Sequence, residues 1–183
     1  MIAFGLGDEA DFKVWAQFNT ADAALRHLDE QQELPDLILL DLNLPSLSGL
    51  DAIPSFKSIA PETEIIILTE SEKEADILEA ISLGAVGYLL KESPLNRIIE
   101  GIRTVLAGGA SLDPGMARYL LDSNRQQSRA FTKDEKTISP RELEALSLIS
   151  TGLAQKEVAN KLGISHKTVD FHVRQIYKKN RCP

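Results

Sequence analysis

Three short apolar runs, each ending at a polar residue, most constrain how this chain can fold. The runs and the residues that follow them are Leu37–Leu40 with Asp41, Ile65–Leu68 with Thr69, and Val86–Leu90 with Lys91. Four or five consecutive apolar residues without alternation are typical of strands buried on both faces of a parallel sheet. The segments between the runs are long enough for crossover helices. The pattern therefore predicts an α/β fold with a parallel sheet.

The three polar residues would meet at one edge of that sheet, because ligands bind at the carboxyl ends of parallel strands. Asp41 would supply an anionic nucleophile, Thr69 a hydrogen-bond donor and Lys91 a cation, which together suit the acceptance of a phosphoryl group. An α/β phosphohydrolase with Asp41 as nucleophile is the enzymatic alternative. Such enzymes typically place a second Asp two residues later, whereas Asn43 stands there.

Residues 12–113 resemble the receiver domain of two-component response regulators. The matching segments are LILLDLNLP (37–45), SGL (48–50), ILTE (67–70) and GAVGYLLK (84–91). The resemblance implies a flavodoxin-like, doubly wound parallel sheet and phosphorylation of Asp41 by a sensor histidine kinase. It also implies that Thr69 binds a phosphoryl oxygen, that Lys91 pairs with the phosphoryl group, and that the receiver can form a homodimer. Tyr88 matches an aromatic residue that turns inward when Thr69 is drawn toward the phosphate.

The acidic pair that binds Mg²⁺ in this family has no match in the chain. In the family, two acids at the end of the first strand hold the ion together with the residue matching Asp41 and the backbone carbonyl matching Asn43. Phe12–Phe18 is predicted to be the second strand, so the first strand is missing. Three acidic residues near the start would then lie at the opposite edge of the sheet: Asp8, Glu9 and Asp11. We therefore expect Mg²⁺ binding to be doubtful and phosphorylation of Asp41 to be impaired.

The first eleven residues allow a second interpretation, with Ile2–Leu6 as the first strand and Asp8-Glu9 as the acidic pair. Only 31 residues then separate Glu9 from Asp41. Two helices, two strands and their loops need about 40 residues, so this interpretation does not fit. Residues 2–7 are instead predicted to be the end of the first helix.

The last quarter of the chain predicts three helices. Ser139, Pro140 and Glu142 form the sequence signature of a capped helix start. A second helix is predicted around Gln155–Leu162, and after the turn at 163–165 a third helix runs from His166 toward Lys179. A helix, a glycine turn and a helix with a basic outer face are what insertion into the DNA major groove requires.

The outer side of the third helix carries the candidate DNA-contacting residues, which are Lys167, Thr168, Asp170, Phe171, Arg174 and Lys178. Arg and Lys side chains bond guanine edges or phosphates, and Phe171 suits a thymine methyl group. Asp170 would repel phosphate but can accept a hydrogen bond from cytosine N4. Residues 138–179 resemble the LuxR-type helix-turn-helix of the NarL/FixJ response regulators, through SPRELEALSLISTGLAQKEVANKLGISHKTVDFHVRQIYKK. The resemblance implies binding to double-stranded DNA, and the family's usual fourth helix is absent.

Charge and composition divide the chain into three parts. Residues 1–113, the predicted truncated receiver, have a net charge of −13, whereas residues 138–183, the predicted all-α helix-turn-helix domain, have a net charge of +4. An acidic body with a basic tail indicates that the tail meets nucleic acid. Residues 114–137 are predicted to be a linker, with a short helix over Pro114–Leu121 and a flexible tether over Asp122–Lys136.

These patterns predict a DNA-binding transcriptional response regulator with phospho-acceptor Asp41, and not an enzyme. No apolar run of about 18 residues occurs, so we expect no membrane span. The single cysteine, Cys182, fits a reducing cytosol, and we expect a cytoplasmic protein. Two alternatives stay open: a DNA-binding regulator that works without phosphorylation, and a fragment without function.

Overall fold

The computed structural model describes residues 2–70, 74–127 and 138–180, which fold into an α/β part followed by a helical tail. The helices are α1 (Ile2–Gly7), α2 (Ala21–Asp29), α3 (Gly49–Ile59), α4 (Glu74–Leu83), α5 (Leu95–Leu106), α6 (Pro114–Gln127), α7 (Pro140–Ser150), α8 (Gln155–Leu162) and α9 (His166–Asn180). The strands are β1 (Leu37–Leu40), β2 (Glu64–Thr69), β3 (Gly87–Leu90) and β4 (Ser111–Leu112). Within these residues, no helix is long and apolar enough to cross a membrane.

The strands form one parallel sheet in the order β1-β2-β3-β4. Leu40 lies opposite Ile67, and Thr69 lies opposite Leu90, so the ends of β1, β2 and β3 meet. We name this side of the sheet the carboxyl edge, and the side where the strands begin the amino edge. The α/β fold with a parallel sheet followed by an all-α domain is confirmed. The sequence does not predict the short strand β4, which pairs with β3.

An apolar cluster lies on each face of the sheet, because successive side chains of a strand point to opposite faces. Ile65 and Ile67 of β2 belong to a cluster with α2, α3 and α4, whereas Ile66 and Leu68 belong to a cluster with α1 and α5. The first cluster continues without a break into α7, α8 and α9. The α/β part and the tail therefore share one core.

The predicted strand Phe12–Phe18 is wrong. A strand requires a neighbouring strand with which to pair. In the described sheet β1 is an outer strand, and residues 12–18 form no ladder with it. Two of their aromatic side chains are held by other contacts: the Trp15 ring lies 5.1 Å from the ring of His27 in α2, and the Arg103 guanidinium lies 5.3 Å from the ring centre of Phe12.

The first residues form helix α1, as predicted, and the acidic residues after it lie at the amino edge. Arg103, in the last turn of α5, binds Glu9 at 2.7 Å and Asp11 through two contacts of 2.8 Å. The hydrogen bonds from Arg103 hold the pKa of Asp11 below its usual value, even though desolvation acts in the opposite direction. These two carboxylates are therefore already engaged on the far side of the sheet from Asp41.

Helix α6 is longer than predicted and extends into the predicted tether. Its first turns are anchored by Met116, Ala117 and Leu120, which are buried against the tail. Once a helix has such an anchor, each further residue adds a hydrogen bond at low cost, and the helix reaches Gln127. The rest of the tether, residues 128–136, lies outside the described residues, and the predicted domain boundaries stay predictions.

The tail has the three helices that the sequence predicts. Ser139 and Glu142 cap α7 reciprocally: the Ser139 N–H donates to the Glu142 carboxylate at 2.6 Å, and the Glu142 N–H donates to the Ser139 hydroxyl at 3.4 Å. Gly163 ends α8 in the left-handed conformation at φ 65°, which glycine adopts without strain. Lys179 of α9 binds the same Glu142 carboxylate at 2.6 Å, so the first and last of these helices are tied together.

Candidate phosphoryl-accepting site and nucleic-acid interface

Asp41 follows β1 directly and lies at the carboxyl edge beside Lys91. The Lys91 ammonium is 2.6 Å from Asp41 Oδ2 and 3.9 Å from a carboxylate oxygen of Glu70. Asp41 Oδ1 accepts a hydrogen bond of 3.2 Å from the backbone N–H of Asn43. The Asp41 side chain is 23% exposed. It is therefore an oriented carboxylate that a phosphoryl donor can reach.

The loop after Asp41 is closed by a tight turn at Gly49. The Gly49 N–H donates to the Leu42 carbonyl at 3.1 Å, and Ser48 caps α3 by accepting from the Asp51 N–H at 3.2 Å. A Cβ atom on Gly49 would run into the carbonyl oxygen of Asp41 and lie 2.9 Å from its carbonyl carbon. Only glycine permits so close a backbone approach. Gly49 therefore helps to position the Asp41 backbone.

Thr69 and Tyr88 are both buried, at 0% and 2% exposure. Thr69 ends β2, and its carbonyl accepts a hydrogen bond of 2.9 Å from the Lys91 N–H, which ties the two strand ends together. The structure thus brings Asp41, Thr69 and Lys91 to one edge. Tyr88 points into the core that is shared with the tail. The roles that the resemblance implies for these residues stay predictions.

The described residues near Asp41 do not form a complete Mg²⁺ site. Mg²⁺ requires oxygen ligands in octahedral geometry, usually with one or two carboxylates. Asp41 and the Asn43 carbonyl would be two ligands, but Glu9 and Asp11 lie at the amino edge with Arg103. Across the described ranges, no group of three or more His, Cys, Asp or Glu side chains could hold a metal ion. Asp41 and the Asn43 carbonyl are therefore the described candidates for ligands of this ion.

Helix α9 presents part of its predicted DNA-contacting set to solvent. Lys167, Phe171 and Lys178 are exposed, and the Phe171 ring is 58% exposed, unusually high for an aromatic residue. The Thr168 hydroxyl lies 2.8 Å from the hydroxyl of Ser165, which caps α9 by accepting from the Thr168 N–H at 3.1 Å. These residues form an exposed basic and aromatic strip.

Arg174 is turned toward the α/β part. Its guanidinium is 2.9 Å from a carboxylate oxygen of Glu64, the first residue of β2, and it also donates to the Gly108 carbonyl. Lys57 of α3 lies 3.8 Å from the same Glu64 carboxylate. The sequence pattern places Arg174 on the free outer face of α9, and the structure corrects this: the amino edge covers that flank of the helix.

Asp170 also packs against the α/β part. A Cβ atom on Gly109 would lie 3.1 Å from Asp170 Cβ, so the helix and the turn after α5 touch there. Asp170 Oδ2 is 3.3 Å from His166 Nδ1, whereas Oδ1 is buried and has no hydrogen-bond partner. Burial raises the pKa of Asp170, and the positive charge of a protonated His166 opposes that shift.

Sequence reasoning missed the polar contacts that join the tail to the α/β part. Two tail side chains donate to backbone carbonyls of the α/β part: Tyr177 to Ser111 at 2.6 Å and Gln155 to Ala110 at 2.8 Å. In the other direction, Arg97 of α5 donates to the Gly152 carbonyl at 2.8 Å. A backbone carbonyl is present at every residue, so its use as an acceptor leaves no mark in the sequence. Only the fold reveals these contacts.

Comparison with known protein families gives two matches. The family described as "Response regulator receiver domain" matches residues 3–103, and the family described as "Bacterial regulatory proteins, luxR family" matches residues 136–182. The first match covers more than half of the chain. Asp41, Thr69, Tyr88 and Lys91 all fall within it.

Individual relatives agree with both matches. The Oxygen regulatory protein NreC of Staphylococcus carnosus is 37% identical over 164 residues, which cover 87% of this chain and 76% of that protein. The nitrate/nitrite response regulator protein NarL of Escherichia coli K12 is 34% identical over 145 residues, which cover 79% of this chain and 67% of NarL.

Solved structures show the same fold. A LuxR-family two-component response regulator from Aurantimonas covers 64% of this chain and 83% of its own, with a TM-score of 0.59 and 27% identity. RcsB from Salmonella enterica serovar Typhimurium, bound to a promoter, covers all of this chain and 85% of its own, with a TM-score of 0.60 and 22% identity. The chain therefore belongs to the DNA-binding two-component response regulators, which join a receiver domain to a LuxR-family helix-turn-helix domain.

Proposed function

We propose that this chain regulates transcription through Asp41 phosphorylation, and that the receiver holds the DNA-reading helix α9 until phosphorylation occurs. One observation carries the proposal. Arg174, a predicted DNA-contacting residue, is paired with Glu64 at 2.9 Å instead of facing solvent. The same guanidinium cannot bind Glu64 and a DNA phosphate or base at once, so receiver contact and DNA contact compete.

The phosphoryl step uses the residues at the carboxyl edge. A carboxylate oxygen of Asp41 attacks the phosphorus of a phosphohistidine on a sensor histidine kinase, and an acyl phosphate forms. The bond between phosphorus and the imidazole nitrogen breaks, and that nitrogen takes up a proton. Lys91, which is 2.6 Å from Asp41, would neutralise phosphoryl oxygens, and Thr69, which ends β2 at the same edge, would donate its hydroxyl to one of them.

We infer that these 183 residues accept a phosphoryl group slowly. Glu9 and Asp11 are engaged by Arg103 at the amino edge, and no group of three or more His, Cys, Asp or Glu side chains among the described residues could hold a metal ion. Without the ion, the negative charges of the donor and of Asp41 repel each other during the transfer.

Intact mass spectrometry tests the phosphoryl step. The purified chain is incubated with acetyl phosphate and Mg²⁺, with Asp41→Asn as the control. We expect a small fraction of the chain to gain one phosphoryl group and none of the control to do so. Full, rapid modification of Asp41 would overturn the inference of slow phosphorylation. Equal modification of the control would overturn the assignment of Asp41.

A selection from randomised double-stranded oligonucleotides tests DNA binding and needs no chosen promoter. The enriched sequence is then used in fluorescence anisotropy with Lys167→Ala and, as the matched control, Lys13→Ala, which removes an exposed lysine from the receiver. If α9 enters the groove, Lys167→Ala weakens binding and lowers the slope of affinity against salt by about 1, whereas the control changes neither. Equal effects of the two substitutions would contradict the proposed interface.

The same two assays separate the remaining alternatives. A regulator that works without phosphorylation would bind the selected DNA equally with and without acetyl phosphate. A fragment without function would enrich no sequence. A phosphohydrolase would release phosphate from a generic phosphoester in a manner that depends on Asp41. Sedimentation of the chain with and without acetyl phosphate tests the proposed homodimer through the receiver.

A further inference from the structure

Tyr177 of α9 reaches into the receiver at the junction of β3 and β4. Its ring is 1% exposed, and its hydroxyl donates a hydrogen bond of 2.6 Å to the Ser111 carbonyl. The hydroxyl also lies 3.5 Å from Met116 Sδ. In the sheet register, Ser111 lies opposite Gly87 and Leu112 opposite Tyr88. The hydroxyl therefore sits where the two strands meet.

Strand β4, which the Tyr177 hydroxyl contacts, pairs with β3. Tyr88 lies in β3, and Lys91 directly follows this strand. The Lys91 ammonium binds Asp41, and the Lys91 N–H binds the Thr69 carbonyl at 2.9 Å. A displacement of β3 caused by a new group on Asp41 would therefore reach the Tyr177 hydroxyl through the paired strand β4.

Other tail side chains make the same kind of contact beside Tyr177. Gln155 of α8 donates to the Ala110 carbonyl at 2.8 Å, and Arg174 of α9 donates to the Gly108 carbonyl. The tail thus covers the outer edge of β4 and the turn before it with side-chain donors, which satisfy carbonyls that an edge strand would otherwise leave to water. Of these three donors, Tyr177 is the fully buried one, so its loss is the hardest for water to replace.

We propose that Tyr177 is a positioning residue that couples the receiver to DNA binding. Its hydroxyl holds α9 in contact with β3 and β4, and displacement of Tyr88 breaks this contact. This proposal rests on the proposed function, because it presumes that receiver contact and DNA contact compete. A buried hydroxyl whose acceptor moves away keeps the cost of its desolvation and loses the hydrogen bond that offset it. Separation of the two domains, which exposes the hydroxyl to water, then becomes favourable.

The chemistry of the hydroxyl suits this role over the whole physiological pH range. Burial raises the pKa of Tyr177 well above its usual value, and the negative charge of Asp113 acts in the same direction, against a smaller effect of the Tyr88 backbone. The hydroxyl therefore stays protonated and remains a donor. The contact responds to movement of the strands and not to pH.

The test is Tyr177→Phe in the full chain, which removes the hydroxyl and keeps the ring in the core. Tyr119→Phe is the matched control, because it makes the same chemical change on α6, at a half-buried position. With the DNA selected by the wild-type chain, we expect unmodified Tyr177→Phe to bind about 2- to 10-fold more tightly than wild type, and the control to bind as wild type does. If Tyr177 served only the internal packing of the tail, the substitution would weaken DNA binding, which would overturn the proposal.

Hydrogen exchange gives a readout that does not need DNA. We expect Tyr177→Phe to speed exchange of the β4 amides and of the amides at 108–110, and to leave α7 and α8 unchanged. This pattern reports separation of the domains, whereas faster exchange throughout α7 and α8 would report unfolding of the tail and overturn the proposal. If the wild-type chain binds no DNA, the proposed function fails, and unchanged exchange at β4 would then also reject the coupling.

Discussion

The two edges of the receiver sheet carry polar groups of different origin. At the carboxyl edge, the groups are side chains that directly follow strands: Asp41 and Lys91 lie 2.6 Å apart and are partly exposed. At the amino edge and along β4, most acceptors are backbone carbonyls, such as that of Ser111, and they face the tail. One edge is open to a small phosphoryl donor, and the other is closed by a second domain.

At each edge, a glycine lies so close to neighbouring atoms that an added Cβ atom would collide with them. Gly49 lies against the carbonyl of Asp41, and Gly109 lies against Thr104 and Asp170. The same substitution, glycine to alanine, therefore perturbs the phosphoryl site at one edge and the contact between the domains at the other. The two outcomes should differ in kind, because only the second contact joins the α/β part to the tail.

Gly49→Ala should lower stability and phosphorylation more than any other substitution considered below. The added Cβ meets the backbone of Asp41 and Leu42, which cannot rotate away, so the loop must shift. We expect a loss of about 3 kcal/mol in the free energy of unfolding and loss of whatever phosphorylation Asp41 supports. Urea unfolding and intact mass measure the two effects. Gly115→Ala, at an exposed position in the first turn of α6, is the control and should cost nothing; equal stability of the two variants would contradict the prediction.

Gly109→Ala is expected to act on the contact between domains. Its Cβ would lie 2.8 Å from the Thr104 methyl group, 2.9 Å from the Thr104 carbonyl oxygen and 3.1 Å from Asp170 Cβ. The conflict with α9 is relieved by separation of the tail, so we expect a loss of about 1–2 kcal/mol in stability together with several-fold tighter DNA binding. Anisotropy with the selected DNA measures the second effect. Weaker or unchanged DNA binding would show that the contact does not restrain α9.

The difference between the edges explains which parts of the fold and of the site could be predicted from the sequence. Strand ends are visible, because the apolar runs stop at Asp41, Thr69 and Lys91, and parallel strands bring their ends together. The helix caps are visible for the same reason: Ser139 and Glu142 are residues whose side chains have a specific use at a helix start. The parallel sheet, the three tail helices and the meeting of the three polar residues could all be predicted.

The contact between domains could not be predicted, because it uses groups without a sequence signature. The outer face of α9 is basic whether it meets DNA or Glu64, so the pattern alone assigns Arg174 to solvent. Residues Phe12–Phe18 have the composition of a strand, but a strand also needs a neighbour, and composition cannot show one. Likewise, the two-residue strand β4 is too short to form a pattern and exists because β3 and the tail lie on its two sides.

Glu64→Gln tests whether the ion pair with Arg174 at the amino edge restrains α9. The substitution removes the charge that holds Arg174 at 2.9 Å without altering any predicted DNA-contacting residue. A partly buried ion pair with Arg is worth about 1 kcal/mol, so we expect roughly fivefold tighter DNA binding at low salt and a smaller gain at high salt. Glu62→Gln, an exposed carboxylate two residues earlier, controls for net charge. The same gain in both variants would assign the effect to charge alone.

Asp170→Asn should have the smallest effect on the free energy of unfolding, and the size of that effect depends on pH. Burial raises the pKa of Asp170, so the folded state binds this proton more tightly than the unfolded state does. The contribution of Asp170 to stability is therefore complete below the pKa of the unfolded chain and is lost as the pH rises through the folded pKa. Near pH 3 the carboxyl is neutral, and Asp170→Asn should change little.

At pH 7 the carboxylate is charged, and its buried Oδ1 has no hydrogen-bond partner. Asparagine removes the charge, so we expect the variant to gain about 1 kcal/mol or less in the free energy of unfolding. The gain should grow as the pH rises through the folded pKa of Asp170, because a larger fraction of the carboxyl is then charged. Urea unfolding at pH 4, 6 and 8 measures this gain in the free energy of unfolding, with Asp36→Asn as an exposed control. A gain that falls with rising pH would mean that Asp170 is stabilised as a charged group, and that the contact between α9 and the amino edge tolerates its charge.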